Sequence, residues 1–200
     1  MQAAEQERPD VAKSRRTWKR TQKRLDFTKL LFLDETGAKT NMIRTYGWGP
    51  TVERVVDAVP HGHWQTTTLV QVIDCKGTRA AMTTNGPVNA SIFDEFVDWI
   101  LLPTLRPGDI LVMDNHSSHK NASTLTKIES KGVEVRFLPP YSTDLNLIEK
   151  IFSKVKPSLH SFAARTKRTL DNAISKAIAS ITSNDCLNCF KACGYGLHNF

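Results

Sequence analysis

Two short apolar segments, each ending in a carboxylate, constrain this 200-residue chain more than any other feature. Phe27–Leu33 is followed by Asp34, and Asp109–Met113 is followed by Asp114. Apolar runs of this length predict buried strands. In an open α/β sheet the carboxyl ends of neighbouring strands meet at one edge, where ligands bind. The two aspartates are therefore expected to meet at a sheet edge if their strands are neighbours.

The remaining elements follow from hydrophobic spacing and turn residues. Thr66–Ile73 predicts a central strand, and Thr78–Thr84 is predicted to pair with it. Helical spacing predicts a helix over Asn89–Leu105 with Asn89 as its N-cap. Further predicted elements are a helix over Ser118–Ser130, a strand over Val133–Leu138, a helix capped by Asp144 that runs to Ser161, and helices over Arg168–Ile181 and Asn184–Ala192. This order predicts an α/β fold with a mixed sheet flanked by helices.

The charge distribution favours a nucleic-acid partner. Lys and Arg exceed Asp and Glu, which gives a net charge of +7, and they concentrate in residues 1–26 and 150–176. DNA suits such a surface because phosphate contacts by Lys and Arg release counterions. Two solvated helix faces would give the same pattern, so the charge alone does not establish that the chain binds nucleic acid.

We divide the chain into two segments. Residues 1–26 are predicted to form a basic linker or a solvated helix, because charged and small polar residues alternate there. Residues 27–200 are predicted to form one domain, which is long enough to bury a core. The N-terminus lacks the apolar run of a signal peptide, and Asp98 interrupts the most apolar stretch, Phe96–Leu102. We therefore expect a cytoplasmic protein without membrane contact.

Three segments together resemble a known family. They are LFLDETG (31–37), LVMDNHSSHK (111–120) and LPPYSTDLNLIEKIFSKVK (138–156). In content and order they are similar to the DDE transposases of the bacterial insertion-sequence branch of the Tc/mariner superfamily. Thirty-four residues, 115–148, separate Asp114 from Glu149, as expected of this branch. The resemblance implies a ribonuclease H-like fold.

The resemblance also implies a metal-binding triad of Asp34, Asp114 and Glu149. Carboxylates suit Mg²⁺ or Mn²⁺, and two such ions about 3.5–4 Å apart can activate a water or a 3′-hydroxyl. Asp34 and Asp114 would bridge the ions, and Glu149 would bind the second ion and help to position the attacking water. The implied cofactors are two Mg²⁺ or Mn²⁺ ions. The implied enzyme cleaves DNA at the ends of an insertion sequence and transfers the 3′-end to target DNA.

Residues near the triad are candidates for supporting roles. Glu35 is expected to face away from Asp34 on its strand. Asn146 precedes Glu149 by three residues and is predicted to hydrogen-bond within the site. Four further candidates for orienting water or phosphate, or for contacting DNA, are Asn115, His119, Lys150 and Lys154. For the lysines, a solvated helix face is the alternative.

Two groups of potential zinc ligands are not interpreted as zinc sites. His61 and His63 alternate, but no nearby Cys or acid completes a site. Cys186, Cys189 and Cys193 share the apolar stripe of one predicted helix, and no second Cys pair exists.

Two tryptophans lie in the segment between the first two predicted strands. Trp48 and Trp64 are large enough to stack on bases, but core packing is predicted for both.

The chain departs from the family pattern at its N-terminus. Family members begin with a helix-turn-helix region that reads the terminal repeats, and residues 1–26 resemble none. We therefore expect an upstream-frame helix-turn-helix partner or fusion, and a homodimer that holds the element ends on target DNA. Thr143 and Leu147 also replace prolines that are usual in the family.

Two other functions stay open from the sequence. One is an inactive or regulatory transposase remnant that binds DNA, and the other is a different ribonuclease H-like nuclease.

Overall fold

A five-stranded mixed sheet forms the centre of the computed structural model, which describes residues 4–44, 46–56, 58 and 61–196. Its strands are β1 (Leu30–Lys39), β2 (Thr66–Asp74), β3 (Gly77–Asn85), β4 (Ile110–Met113) and β5 (Glu134–Phe137). The strand order is β3-β2-β1-β4-β5. β1 and β3 pair antiparallel with β2, whereas β4 runs parallel to both β1 and β5. The predicted pairing of the second and third strands is confirmed, and the two strands that precede the aspartates are neighbours in the sheet.

The described residues form six α-helices, which pack around the sheet and against one another. They are α1 (Pro9–Thr21), α2 (Ala90–Phe96), α3 (Ala122–Glu129), α4 (Leu147–Phe162), α5 (Lys167–Ala179) and α6 (Ser183–Ala192). The side chain of Asn89 accepts a hydrogen bond from the Ile92 N–H, as predicted for the N-cap of α2. Thr166 and Thr182 begin α5 and α6 with capping boxes, which satisfy amides that a helix start leaves free.

Alternation along β1 buries both faces of the sheet. Leu30 and Phe32 belong to a core shared with α4, α5 and α6, whereas Leu31 and Leu33 belong to a second core shared with α2 and α3. By the same alternation, Asp34 lies on the face of β1 that carries Leu30 and Phe32, and Glu35 lies on the opposite face. The strand itself therefore decides which layer each acid faces.

The N-terminal segment differs from the expectation of a solvated helix. α1 buries Val11, Arg15 and Trp18 against the domain, and the Trp18 Nε1 donates to the Tyr195 hydroxyl at 3.1 Å. The buried positions are spaced at i, i+4 and i+7, but one is an arginine and charged residues surround them. The pattern therefore has no clear apolar stripe. The division of the chain at residue 26 stays a prediction, and residues 1–3 and 197–200 lie outside the described ranges.

Several helix ends also differ from the prediction. The helix expected over Asn89–Leu105 ends as α2 at Phe96 and continues as a wider π turn and a tighter 3₁₀ turn. The predicted cap by Asp144 is wrong, because its carboxylate accepts two hydrogen bonds from Arg15, each of 2.8 Å. α4 begins three residues later, with Asn146 at the cap position.

Within the described ranges, no helix combines the length and apolar character needed to cross a membrane.

Candidate active site

The candidate site lies where β4 ends beside β1. Leu33 and Met113 are partners in the parallel register, so Asp34 and Asp114, the next residue of each chain, are neighbours. β1 does not end at Asp34 as expected, because its pairing with β2 continues to Lys39. Asp34 and Asp114 line one cleft of about 370 Å³ together with Glu149 from the first turn of α4, and we call it the acidic cleft. The structure thus brings the three predicted acids into one cleft.

Asp34 is buried and held on both carboxylate oxygens. Its Oδ1 accepts from the Glu35 N–H and its Oδ2 accepts from the Asn146 Nδ2, each at 2.7 Å. Burial raises the pKa of Asp34 to about 7, assisted by the charges of Glu149 and Asp114 and opposed by the Glu35 amide. A buried carboxylate with this pKa takes up a proton near neutral pH unless a cation compensates its charge.

Asp114 lies in a more exposed and more polar setting. Its Oδ1 accepts from the His116 N–H at 3.0 Å and from the His119 Nδ1 at 2.8 Å. Burial alone would raise the pKa of Asp114, but the hydrogen bonds from His119 and the His116 amide hold it below the usual value. Asp114 is therefore ionised at neutral pH.

His119 joins two acids from different strands. Its ring is fully buried, and the centroid of the ring lies 4.7 Å from the centroid of the Phe93 ring. The Nε2 of His119 lies 2.8 Å from Glu35 Oε1. Burial alone would lower the pKa of His119, but hydrogen bonds with Asp114 and Glu35 raise it to about 9. At neutral pH both ring nitrogens are protonated and donate. His119 is thus placed to orient Asp114, and its burial excludes contact with DNA.

The other predicted candidates occupy three different settings. Asn115 is exposed and lines the acidic cleft. Asn146 precedes α4 instead of lying on it, yet it donates to Asp34 as expected of a residue within the site. Lys150 lines a neighbouring cleft, and Lys154 pairs with Asp185 of α6.

A residue of the predicted linker supports one wall of the cleft. The Arg15 guanidinium donates to the Ser142 hydroxyl at 2.8 Å and to the Tyr141 carbonyl at 3.3 Å. Tyr141 and Ser142 line the acidic cleft. No local signal marks Arg15, because its partners lie more than a hundred residues further along the chain.

The carboxylate oxygens that line the cleft are donor atoms of the kind that a hard divalent cation prefers. Among the described residues, no three acidic, histidine or cysteine side chains converge into a complete metal site. Three carboxylates nevertheless line one cleft, and carboxylates are preferred ligands of Mg²⁺. The buried Asn146 Oδ1 has no hydrogen-bond partner among the described atoms. Compensation by a cation also agrees with the raised pKa of Asp34.

The segment between β1 and β2 does not pack as predicted. Trp48 is fully exposed and Trp64 is 53% exposed, so the prediction of core packing is wrong for both. Neither tryptophan belongs to the two core clusters formed by the described residues. His61 and His63 are exposed in the same segment.

The two cysteines of α6 and Cys193, which directly follows the helix, lie as the apolar stripe predicts. Cys186 and Cys193 are buried, and Cys189 is half-buried. Burial raises the pKa of the Cys186 and Cys193 thiols to about 12.

Comparisons with known proteins agree with this geometry. The family described as "DDE superfamily endonuclease" matches residues 29–171. The fold is similar to that of a Mos1 transposase paired-end complex with the left transposon end (TM-score 0.75, 17% identity, 97% of this chain and 61% of that chain). It is also similar to a Mos1 mariner paired-end complex with Mn (TM-score 0.74, 16% identity, 97% and 61%). For the catalytic domain of Mos1 mariner transposase, the TM-score is 0.70 at 16% identity, with coverage of 97% and 91%.

These similarities confirm the predicted ribonuclease H-like mixed sheet flanked by helices. The chain spans 61% of the length of the transposase chains in those two complexes. A comparison with curated protein sequences found no match.

Proposed function

Because the chain belongs to the DDE superfamily of endonucleases, we propose that it is the catalytic domain of an insertion-sequence transposase. It would cleave DNA strands at the element ends and join the freed 3′-ends to target DNA. The observation that carries this proposal is the cleft in which Asp34, Asp114 and Glu149 meet. Support for joining as well as cleavage comes from the similar Mos1 structures, one of which is described as a strand transfer complex.

Two divalent ions, Mg²⁺ or Mn²⁺, complete the proposed site. Asp34 and Asp114 would be the main ligands of these ions, and Glu149 would contribute to binding the second ion. When bound, such ions activate the attacking oxygen and stabilise the leaving oxygen. The carboxylate donor set and the raised pKa of Asp34 support this assignment. Two similar Mos1 complexes are described with Mn and with Mg.

Neighbouring residues of the chain would hold the carboxylates that bind these ions in fixed orientations. Asn146 and the Glu35 amide hold both oxygens of Asp34, so this carboxylate cannot rotate freely. His119 holds Asp114 from the buried side. Glu149 is half-buried on the first turn of α4, where it would position the attacking water or 3′-hydroxyl. Asn115 on the exposed rim would donate a hydrogen bond to a phosphate oxygen.

The proposal includes partners that the reaction requires. Two element ends must be held together on target DNA, so we expect a homodimer in the active complex. A helix-turn-helix partner or fusion from an upstream frame would supply recognition of the terminal repeats. A protein that acts on chromosomal DNA would work in the cytoplasm at the nucleoid.

The replacement Asp114→Asn tests the proposed chemistry. It keeps the size of the side chain but removes the charge that binds the metal, so strand cleavage in Mg²⁺ or Mn²⁺ should fall to background. Nicking of supercoiled plasmid measures cleavage, and joining of a labelled 3′-hydroxyl oligonucleotide to that plasmid measures strand transfer. Thermal unfolding checks that the fold is kept.

Asp98→Asn is the matched control, because Asp98 lies in the turn after α2, does not line the acidic cleft, and pairs with Lys127. It should leave both activities unchanged. Normal cleavage by Asp114→Asn would refute the triad assignment. Cleavage by the wild type without joining would favour the alternative nuclease.

A further inference from the structure

A second cleft lies next to the acidic one, across the start of α4. Its volume is about 590 Å³, and its walls are the end of α1, the start of α4 and the end of α6. The segment 143–150 lines both clefts: Thr143, Asn146 and Glu149 line the acidic cleft, and Asp144, Leu145 and Lys150 line the second. The two clefts are therefore neighbours, separated by this one segment.

Positive charge is concentrated in this second cleft. Five exposed cations line it, and we call it the basic cleft: Lys19, Arg20, Lys23, Lys150 and Lys191. Within the described ranges, none of these five side chains forms an ion pair. Unpaired lysines such as Lys13, Lys76 and Lys131 also lie elsewhere on the described surface. The basic cleft differs from these positions because five unpaired cations lie together there.

The acid that lines the basic cleft does not neutralise them. Both oxygens of Asp144 accept hydrogen bonds from Arg15, each of 2.8 Å. The Arg15 hydrogen bond holds the pKa of Asp144 below its usual value, so Asp144 is ionised but already paired. The five cations remain available to an external anion.

Buried hydrogen bonds hold the walls of the basic cleft together. The Gln22 Nε2 donates to the Cys193 carbonyl at 2.9 Å and joins the end of α1 to the end of α6. The Tyr195 hydroxyl accepts from Trp18 and donates to the Leu145 carbonyl at 3.0 Å. These bonds connect all three walls, so the positions from which the cations extend are preorganised.

We propose that the basic cleft binds the phosphate backbone of the DNA strand that passes through the acidic cleft. The cations extend from three elements around an open cleft, which suits a row of phosphates better than one small anion. Backbone contacts of this kind position DNA without reading its sequence. The inference rests on the proposed function in that DNA is the ligand, but it assigns a site that lies outside the three acids.

A triple variant, Lys23→Gln with Lys150→Gln and Lys191→Gln, tests the basic cleft in the full chain. The probe is a fluorescein-labelled random-sequence duplex of about 30 base pairs, measured by anisotropy without metal over a series of salt concentrations. Each phosphate contact contributes about 0.9 to the slope of log K against log salt, so the slope should fall by about 2–3. The corresponding Lys→Arg triple variant should keep the wild-type slope.

A matched control removes the same charge elsewhere: Lys13→Gln with Lys76→Gln and Lys131→Gln, all exposed and outside the basic cleft. It should keep the wild-type slope, and thermal unfolding should show all variants folded. A wild-type slope in the cleft variant, or an equal loss in the control, would overturn the proposal. Asp114→Asn should lose cleavage but keep the slope, so failure of the chemistry and failure of the basic cleft are distinguishable.

Discussion

Asp34 and Asp114 are neighbours, but their hydrogen-bond partners differ. Asp34 is buried, near three other acids, and its pKa rises to about 7. Asp114 accepts from protonated His119, and its pKa falls. The metal-free cleft therefore has one aspartate that is ionised and one that is half-protonated near neutral pH. Repulsion among the acids is reduced by a proton in the absence of metal and would be reduced by cations in their presence.

The stability of the metal-free protein should depend on pH through Asp34. Between the unfolded pKa of 3.8 and the folded pKa of about 7, the folded state binds more protons than the unfolded state. Stability must therefore fall as pH rises through this window. Thermal unfolding in EDTA should show a lower Tm at the upper end of the window, by several degrees, and Asp34→Asn should flatten this dependence relative to the wild type.

Mg²⁺ should reverse this loss, because it binds the ionised carboxylates. The Mg²⁺-induced rise in Tm should be larger above the folded pKa of Asp34 than below it, and absent in Asp34→Asn. The pKa of His119 is raised to about 9, so His119 adds a loss of stability from about pH 6.5 upwards. This loss occurs in the wild type and in Asp34→Asn alike, and the difference between the two proteins therefore reports Asp34. An equal Mg²⁺ effect in the variant would contradict the role of Asp34.

His119 is expected to set the metal affinity without touching the metal. Glutamine at this position can reach only one of its two acids, so His119→Gln should free Asp114 or Glu35 from its hydrogen bond. Loss of partners that orient metal ligands typically weakens metal binding about 10–100-fold. Titration with Mn²⁺ followed by electron paramagnetic resonance measures this change.

The control for His119 is His61→Gln, an exposed histidine away from the cleft. It should leave Mn²⁺ affinity unchanged. Glu35→Gln should weaken Mn²⁺ binding less than His119→Gln, because His119 still holds Asp114. If His119→Gln binds Mn²⁺ like the wild type, the positioning role is wrong.

At the scale of elements, α1 connects parts of the molecule that are distant in sequence. Arg15 supports the wall of the acidic cleft, Trp18 reaches Tyr195, and the following turn reaches Cys193 through Gln22. α4 has a related position, since its first turn carries Glu149 towards one cleft and Lys150 towards the other. Packing of α1 should therefore affect both clefts.

Trp18→Ala tests whether α1 is part of the folded domain. Trp18 is 9% exposed, so truncation should create a cavity and lower the free energy of unfolding by about 3–5 kcal/mol. Trp99→Ala is the control, because Trp99 is 80% exposed and its loss should change stability by about 0.5 kcal/mol at most. Urea unfolding measures both. Equal stabilities would instead support a linker up to residue 26.

At the scale of the molecule, our proposals give the chain a site for chemistry, the acidic cleft, and a separate surface for the DNA backbone, the basic cleft. Backbone contacts of the kind proposed for the basic cleft are independent of sequence. Catalysis and recognition of the terminal repeats are therefore separate tasks in our proposal.

The 200-residue chain should bind unrelated DNA duplexes with similar affinity. Dissociation constants for an element-end duplex and a scrambled duplex should agree within about tenfold at the same salt concentration, far below the 10³ or more typical of specific recognition. Anisotropy with both duplexes measures the ratio. A preference of about a thousandfold for the element end would show that this chain itself reads the repeat.

The sequence alone determined the strands, most of the helices and the three acids, because these depend on local patterns. Apolar runs and helical spacing report which side of an element is buried, and the spacing of the acidic motifs is a property of the chain. Only the tertiary structure decided which distant side chains meet. His119 lies 84 residues from Glu35, and Arg15 lies 129 residues from Asp144. The exposed tryptophans and the basic cleft likewise depend on where whole elements pack. Local patterns cannot predict these meetings, because a charged residue looks the same in sequence whether water or a distant partner surrounds it.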